Sequence, residues 1–152
     1  MNRIFALLCL SCLALVSPAD AAPRPPVEYI GQPFLHGASL PFSEAVRVGD
    51  ILFLSGQIGR KSDGMLPVEF DAQARQVMDN IGRVLATAGV GWGDVVKCTV
   101  MLDDMANWPA FNKIYMTYFK DGKFPARSAF GADGLALSAA LEVECIAHSP
   151  AK

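Results

Sequence analysis

The sequence predicts an α+β domain, because strand-like and helix-like segments follow one another in the order β-β-α-β-α-β-β. Two stretches, residues 71–88 and 107–119, carry apolar residues at helical spacing. The remaining segments alternate or are short apolar runs bounded by turn residues, which is typical of strands. Such a set packs most simply as a single sheet with two helices on one face. No internal repeat or second domain is indicated.

The first residues, 1–21, have the pattern of a secretory signal peptide. A short basic start precedes the apolar run Ile4–Val16, and Ala19-Asp20-Ala21 is an Ala-x-Ala cleavage site. The run is shorter than the ~20 residues of a spanning helix. A lipoprotein signal ending at Cys12 would cut the run in half. We therefore expect an exported protein, periplasmic or extracellular, with no stable membrane association after cleavage.

Residues 22–40 are predicted to be an extended lead-in, and the proline-rich part up to about Gly31 to be poorly ordered. The domain itself then covers residues 41–152. Its first elements are two strands, Ala45–Val48 and Ile51–Leu54, joined by a tight hairpin turn at Gly49-Asp50.

The two helices have clear boundaries in the sequence. The first is predicted for Asp71–Ala88, with Gly89 as its stop. The second is predicted for Asn107–Phe119, with Asn107 as its cap and Pro109 in its first turn. The apolar stripes of both are assigned to the core or, for the second helix, to the core or an interface.

Three strands complete the domain: Asp94–Leu102, Phe124–Phe130 and Leu141–Ala147. The last of them alternates apolar and polar residues. If the last two share a sheet, Arg127 and Glu142 could lie at one end of it. A cation and a carboxylate would then serve one small ligand.

The net charge, the histidines and the cysteines bear on which classes of function and which kinds of site the sequence favours. The net charge of −2 disfavours nucleic acid, which requires a basic stripe. The sequence contains two histidines and no metal-ligand spacing, so no metal and no cofactor is expected. Cys98 and Cys145 lie mid-strand among apolar neighbours. We favour two buried free thiols over a disulfide, which requires adjacent strands with matching geometry.

Several short motifs, in order, resemble the RidA/YjgF family of enamine and imine deaminases and their relatives. The resemblance runs from about Pro41 to Ala147. It is carried by Ser55-Gly56-Gln57-Ile58, Ala72-Gln73-Ala74-Arg75-Gln76, Asp79-Asn80, Val96-Lys97-Cys98-Thr99-Val100, Phe111-Asn112, Pro125-Ala126-Arg127-Ser128, and Glu142 in its alternating strand.

The resemblance implies a chorismate mutase-like fold and a homotrimer with a ligand cleft at each subunit interface. It assigns Arg127 to the carboxylate of a small substrate, and Glu142 to a water molecule or the imine nitrogen. The rest of the pocket would come from Phe42, Ser55, Gly56, Asn112 and Ala129.

This chain departs from the family pattern at three places. Phe42 stands where the family has a tyrosine, Ala129 where many deaminases have a cysteine, and Leu135-Ala136 where a Leu-Pro step is usual. Three function classes follow: a deaminase of small 2-imino or enamine acids, a non-catalytic trimer that binds small carboxylates, and a ribonuclease. The acidic charge argues against the ribonuclease.

Overall fold

The computed structural model describes residues 23–35 and 37–150, so the predicted signal peptide lies outside the described residues. These described residues form nine strands and two α-helices. The strands are β1 (Val27–Ile30), β2 (Phe34–Leu35), β3 (Ala38–Ser39), β4 (Ala45–Val48), β5 (Ile51–Leu54), β6 (Gln57–Ile58), β7 (Val95–Leu102), β8 (Ala126–Gly131) and β9 (Leu141–His148), and the helices are α1 (Phe70–Thr87) and α2 (Trp108–Tyr115).

Seven of these strands form one mixed sheet in the order β1-β4-β5-β9-β7-β8, with β6 pairing with β9 beyond the end of β5. Only the β7–β8 pair is parallel; the others are antiparallel. The predicted α+β sheet with two helices is confirmed. Strands β2 and β3 form a separate small hairpin.

The predicted lead-in contributes a strand to this sheet. Residues Val27–Ile30 pair with β4 along their whole length, so the expectation of a poorly ordered segment is wrong for these four residues. The predicted hairpin between β4 and β5 is confirmed. Its turn residue Gly49 has φ +56°, a left-handed conformation that glycine adopts without steric cost.

Helix α1 forms where its apolar stripe predicted it and packs that stripe into the core. The helix ends in a Schellman motif: Gly89 N–H donates to the Ala86 carbonyl, and Val90 N–H donates to the Leu85 carbonyl. Gly89 has φ +79°, which explains why a glycine follows the last helical turn.

Helix α2 is shorter than predicted, because the chain continues from Tyr115 into a 3-10 turn over Met116–Tyr118. Pro109 lies in its first turn as expected. Asn107 precedes the helix, but its side chain makes no capping hydrogen bond. The core lies between the two helices and one face of the sheet.

Candidate functional site

The strands that carry the predicted arginine and glutamate are both in the sheet, but β7 runs between them. Arg127 lies opposite Cys98 of β7, whereas Glu142 lies opposite Met101. Three residues along β7 and two strand spacings separate their Cα atoms by about 14 Å. Within a single chain, the expectation that both lie at one end of the sheet is wrong.

Their side chains also project from opposite faces. The guanidinium of Arg127 lies on the helix face, where it contacts α2. On β9 the buried residues face the helices, and Glu142 and Glu144 alternate with them on the other face. One ligand bound to one copy of this chain therefore cannot contact both groups.

Arg127 is held by aromatic rings rather than by an acid. Its guanidinium carbon is 4.5 Å from the centroid of the Trp108 ring and 4.4 Å from that of Tyr115. The ion pairs among the described residues, Arg47–Glu28 and Arg83–Glu44, do not involve Arg127. Since the side chain is also exposed, its N–H donors are available to an anion.

Asn112 lies on the same face of α2, one turn after Trp108 and one turn before Tyr115. We call Trp108, Asn112, Tyr115 and Arg127 the arginine cluster. Two buried polar atoms of the cluster, Asn112 Oδ1 and the Tyr115 hydroxyl, have no hydrogen-bond partner among the described residues. Burial raises the pKa of Tyr115 to about 12, although Arg127 opposes the shift. The Tyr115 hydroxyl is therefore neutral beside the cation.

Glu142 lies apart from the arginine cluster, beside Gly56 in the segment that follows β5. Its carboxylate lies directly against Gly56. The Ser55 hydroxyl donates to the Ser43 carbonyl at 2.7 Å, which holds the segment after Phe42 beside the end of β5. Phe42 itself is exposed.

The environment of Glu142 favours its protonated form. Burial raises the pKa of Glu142, and the nearby charge of Glu144 raises it further. Both causes disfavour the ionised form of the Glu142 carboxyl group. A carboxyl group whose pKa is raised exchanges its proton closer to neutral pH, as a general acid or base requires.

The two cysteines are joined in a disulfide bond, so the preference for two free thiols is wrong, whereas their predicted burial is confirmed. Cys98 and Cys145 are directly opposite each other on β7 and β9, with Cα atoms 4.1 Å apart. Because Arg127 pairs with Cys98 on the other side, the row Cys145–Cys98–Arg127 runs straight across the sheet.

The remaining predicted residue, Ala129, lies on β8 two positions after Arg127 and packs against the core. Trp108 is not among the site residues that the sequence predicts, and Tyr115 is predicted only as part of the core or an interface. The available signal was the spacing Trp108–Asn112–Tyr115, which puts all three on one helical face.

A cleft of about 740 Å³ opens elsewhere, between the start of β7 and the loop before β8. Aromatic side chains of Trp92, Phe119 and Phe124 and the lysines Lys120 and Lys123 contribute to its walls. None of the predicted site residues lines it.

Among the described residues, no group of three His, Cys, Asp or Glu side chains is placed to hold a metal ion, and no helix is long and apolar enough to span a membrane.

The fold and the arginine cluster define a class: an α+β protein whose edge-strand arginine contacts two aromatic rings and takes part in none of the described ion pairs. The sequence profile described as Endoribonuclease L-PSP matches residues 36–149, and the chain belongs to this family, the RidA/YjgF family. The chain is similar to the human 2-iminobutanoate/2-iminopropanoate deaminase, with 40% identity over 113 residues that cover 73% of this chain and 82% of the human protein.

Solved structures show the same relationship. The YjgF gene product of E. coli superposes with a TM-score of 0.72 and 32% identity, covering 80% of this chain and 98% of the other. E. coli TdcF with bound serine superposes with a TM-score of 0.70 and 29% identity, covering 79% and 92%.

Proposed function

We propose that this protein hydrolyses small 2-imino or enamine acids to 2-oxo acids and ammonia. The observation that carries the proposal is the exposed guanidinium of Arg127, which lies over two aromatic rings and is unpaired with any acid among the described ion pairs. The fork of an arginine matches the two oxygens of a carboxylate. Relatives named 2-iminobutanoate/2-iminopropanoate deaminase support the choice of reaction.

Hydrolysis of an imine requires little from the protein beyond substrate binding and proton transfer. A protonated imine carbon is electrophilic, so a water molecule can add to it and form a C–O bond. The carbinolamine then breaks its C–N bond, releasing ammonia and leaving the 2-oxo acid. In this proposal Glu142 orients the water, accepts its proton and returns a proton to the leaving nitrogen.

We further propose that each active site is built from two copies of the chain, within a homotrimer. A single copy holds Arg127 and Glu142 on opposite faces of its sheet, about 14 Å apart between Cα atoms. The face opposite the helices also exposes large apolar side chains, as expected of a surface that another copy covers: Val27, Tyr29, Ile51, Phe53 and Phe130.

Refolding two inactive variants together tests both the reaction and the site that is shared between copies. Arg127→Ala and Glu142→Gln are each made in an otherwise intact chain, and each alone is expected to be nearly inactive toward 2-iminopropanoate generated in the assay. If equal amounts are unfolded and refolded together, about one site in four receives Arg127 from one copy and Glu142 from another. Activity should then recover to about a quarter of the wild-type value. No recovery, with trimers formed, contradicts a site shared between copies.

Export is part of the same proposal. The signal-like residues 1–21 motivate it, and the Cys98–Cys145 disulfide supports it, because such bonds persist in oxidising compartments. Sequencing of the N-terminus of the protein recovered from periplasm or medium should give Ala22, within a residue or two. A mature protein that begins at Met1 contradicts export by a cleaved signal.

A non-catalytic trimer that binds small carboxylates is the second candidate. It is favoured by Phe42, which has no hydroxyl where the family has tyrosine, and by Ala129, which stands where many deaminases have cysteine. In that case Arg127→Ala abolishes carboxylate binding while the wild-type protein leaves the lifetime of 2-iminopropanoate unchanged. The wild-type rate therefore separates the two functions.

A further inference from the structure

The two aromatic rings around Arg127 come from residues two turns apart on one helix. Trp108 begins α2 and Tyr115 ends it, so their Cα atoms are separated by about 10.5 Å along the helix axis. The guanidinium carbon is within 4.5 Å of both ring centroids. The guanidinium therefore contacts both rings, and the described ion pairs leave its N–H donors to a ligand.

This way of holding an arginine differs from an ion pair in one respect that matters for binding. A carboxylate partner would fix the side chain by occupying its donors. Aromatic faces attract the cation through the ring quadrupole and leave every donor unoccupied. An exposed arginine otherwise samples many rotamers and loses that freedom when a ligand binds.

The two rings are not equivalent. Tyr115 is 2% exposed and packs against Phe111 and Phe119, so the core fixes its position. Trp108 is only partly buried, and its indole stacks on Phe111 with ring centroids 6.2 Å apart. Pro109, in the first turn of α2, restricts the backbone next to it. Trp108 is therefore the outer side of the arginine cluster, and it is less buried than Tyr115.

We propose that Trp108 is a positioning residue for Arg127: its indole fixes the plane of the guanidinium so that the free edge is already oriented for a carboxylate. This inference rests on the proposed function, in which Arg127 binds the substrate carboxylate. It adds that the affinity of the site depends on a ring that itself makes no contact with the carboxylate.

Three substitutions test the role. Trp108→Leu removes the ring but keeps an apolar side chain, and Trp108→Phe restores a ring of smaller area. Trp92→Leu is the matched control, because Trp92 packs on Tyr118 and Phe119 and not on Arg127. The ligand is pyruvate, a 2-oxo acid, measured by calorimetry on the assembled protein. The orientation of Arg127 is followed without ligand through its Nε–Hε NMR signal, assigned with Arg127→Lys.

We expect Trp108→Leu to weaken pyruvate binding about tenfold, and Trp108→Phe to recover most of the loss. In turnover the change should appear in KM, with kcat altered less than about threefold, because the carboxylate contact is made equally in the bound substrate and the transition state. The Nε–Hε signal should be sharp in the wild type and in Trp92→Leu, and broadened by exchange in Trp108→Leu.

Wild-type pyruvate affinity together with an unchanged Nε–Hε signal in Trp108→Leu overturns the proposal. Equal loss of affinity in Trp108→Leu and Trp92→Leu also overturns it, since the effect would then be general loosening of the fold. If Arg127→Ala leaves pyruvate binding intact, the proposed function fails instead. The Nε–Hε signal alone then decides the positioning role, because that measurement needs no ligand.

Discussion

The carboxylate of Glu142 occupies the space beside the Cα of Gly56, and a Cβ placed on Gly56 would be 1.8 Å from Glu142 Oε1. The contact joins the end of β5 to β9 and leaves no room for a methyl group. Glycine at position 56 is thus required by the position of the glutamate side chain rather than by an unusual backbone angle.

Gly56→Ala should therefore displace the Glu142 carboxylate with little cost to folding, because the clashing atom is the end of a flexible side chain. We expect imine hydrolysis to fall about as far as in Glu142→Gln, on the order of tenfold or more, while pyruvate affinity changes little. Gly93→Ala is the control, since a Cβ there meets nothing within 4 Å. Full activity in Gly56→Ala would show that the carboxylate need not lie where it does.

Substitution of Arg127 separates its charge from its shape. Arg127→Lys keeps the cation but loses the planar fork, so carboxylate affinity should fall about tenfold or more. Arg127→Ala also loses the charge-assisted hydrogen bonds, on the order of 1.5–3 kcal/mol, and should nearly abolish binding. Glu142→Gln should slow hydrolysis and leave binding largely intact. If Glu142→Gln changes neither rate nor affinity, Glu142 has no chemical role.

The raised pKa of Glu142 makes stability depend on pH in a defined direction. Between the ordinary value of 4.5 and the higher folded value, the folded chain holds a proton that the unfolded chain has lost. The stability that the raised pKa of Glu142 contributes to the folded state is fully present below pH 4.5. It is lost as the pH rises through the folded pKa. Glu142→Gln should therefore be more stable than the wild type at neutral pH, and the difference should vanish in acid.

Urea denaturation of both proteins across that pH range measures this difference. Glu144→Gln is the matched variant: it removes the neighbouring charge, so it should give a smaller gain with the same sign. A difference in unfolding free energy between the wild type and Glu142→Gln that is independent of pH would contradict the burial of the charge.

The Cys98–Cys145 disulfide should contribute substantially to stability. The cysteines are 47 residues apart in sequence, and the chain-entropy treatment gives about 4 kcal/mol as an upper value for a loop of that length. We expect reduction of the wild type to lower the unfolding free energy by about 2–4 kcal/mol. Cys98→Ala with Cys145→Ala is the companion variant, whose stability should not respond to a reducing agent. An unchanged midpoint on verified reduction of the wild type contradicts the prediction.

The helices and the hairpin of this fold could be predicted because their signals are local. The apolar stripe of Asp71–Ala88 and the glycine after it mark α1 to within one residue at each end. The turn Gly49-Asp50 marks the hairpin of β4 and β5. By contrast, three of the four residues of β1 are exposed, so pairing with β4, not its own pattern, makes it a strand.

The arrangement of the site could not be predicted because it depends on the order of strands. Arg127 and Glu142 lie on opposite faces because their partners on β7, Cys98 and Met101, are an odd number of residues apart. They lie far apart because β7 runs between their strands. The pairing of Cys98 with Cys145 depends on the same order. A single sequence shows which residues alternate on a strand, but not which strand lies next to it.

The disulfide also changes what a protease can do to this protein. The turn Lys120–Lys123 is exposed and carries two trypsin sites, with Asp121 and Gly122 both at positive φ. A cut there separates the polypeptide into one piece with α2 and β7 and another with β8 and β9. Because Cys98 and Cys145 join the two pieces, Trp108 and Arg127 remain in one covalently linked molecule after the cut. The two fragments should therefore separate in gel electrophoresis only after the disulfide is reduced.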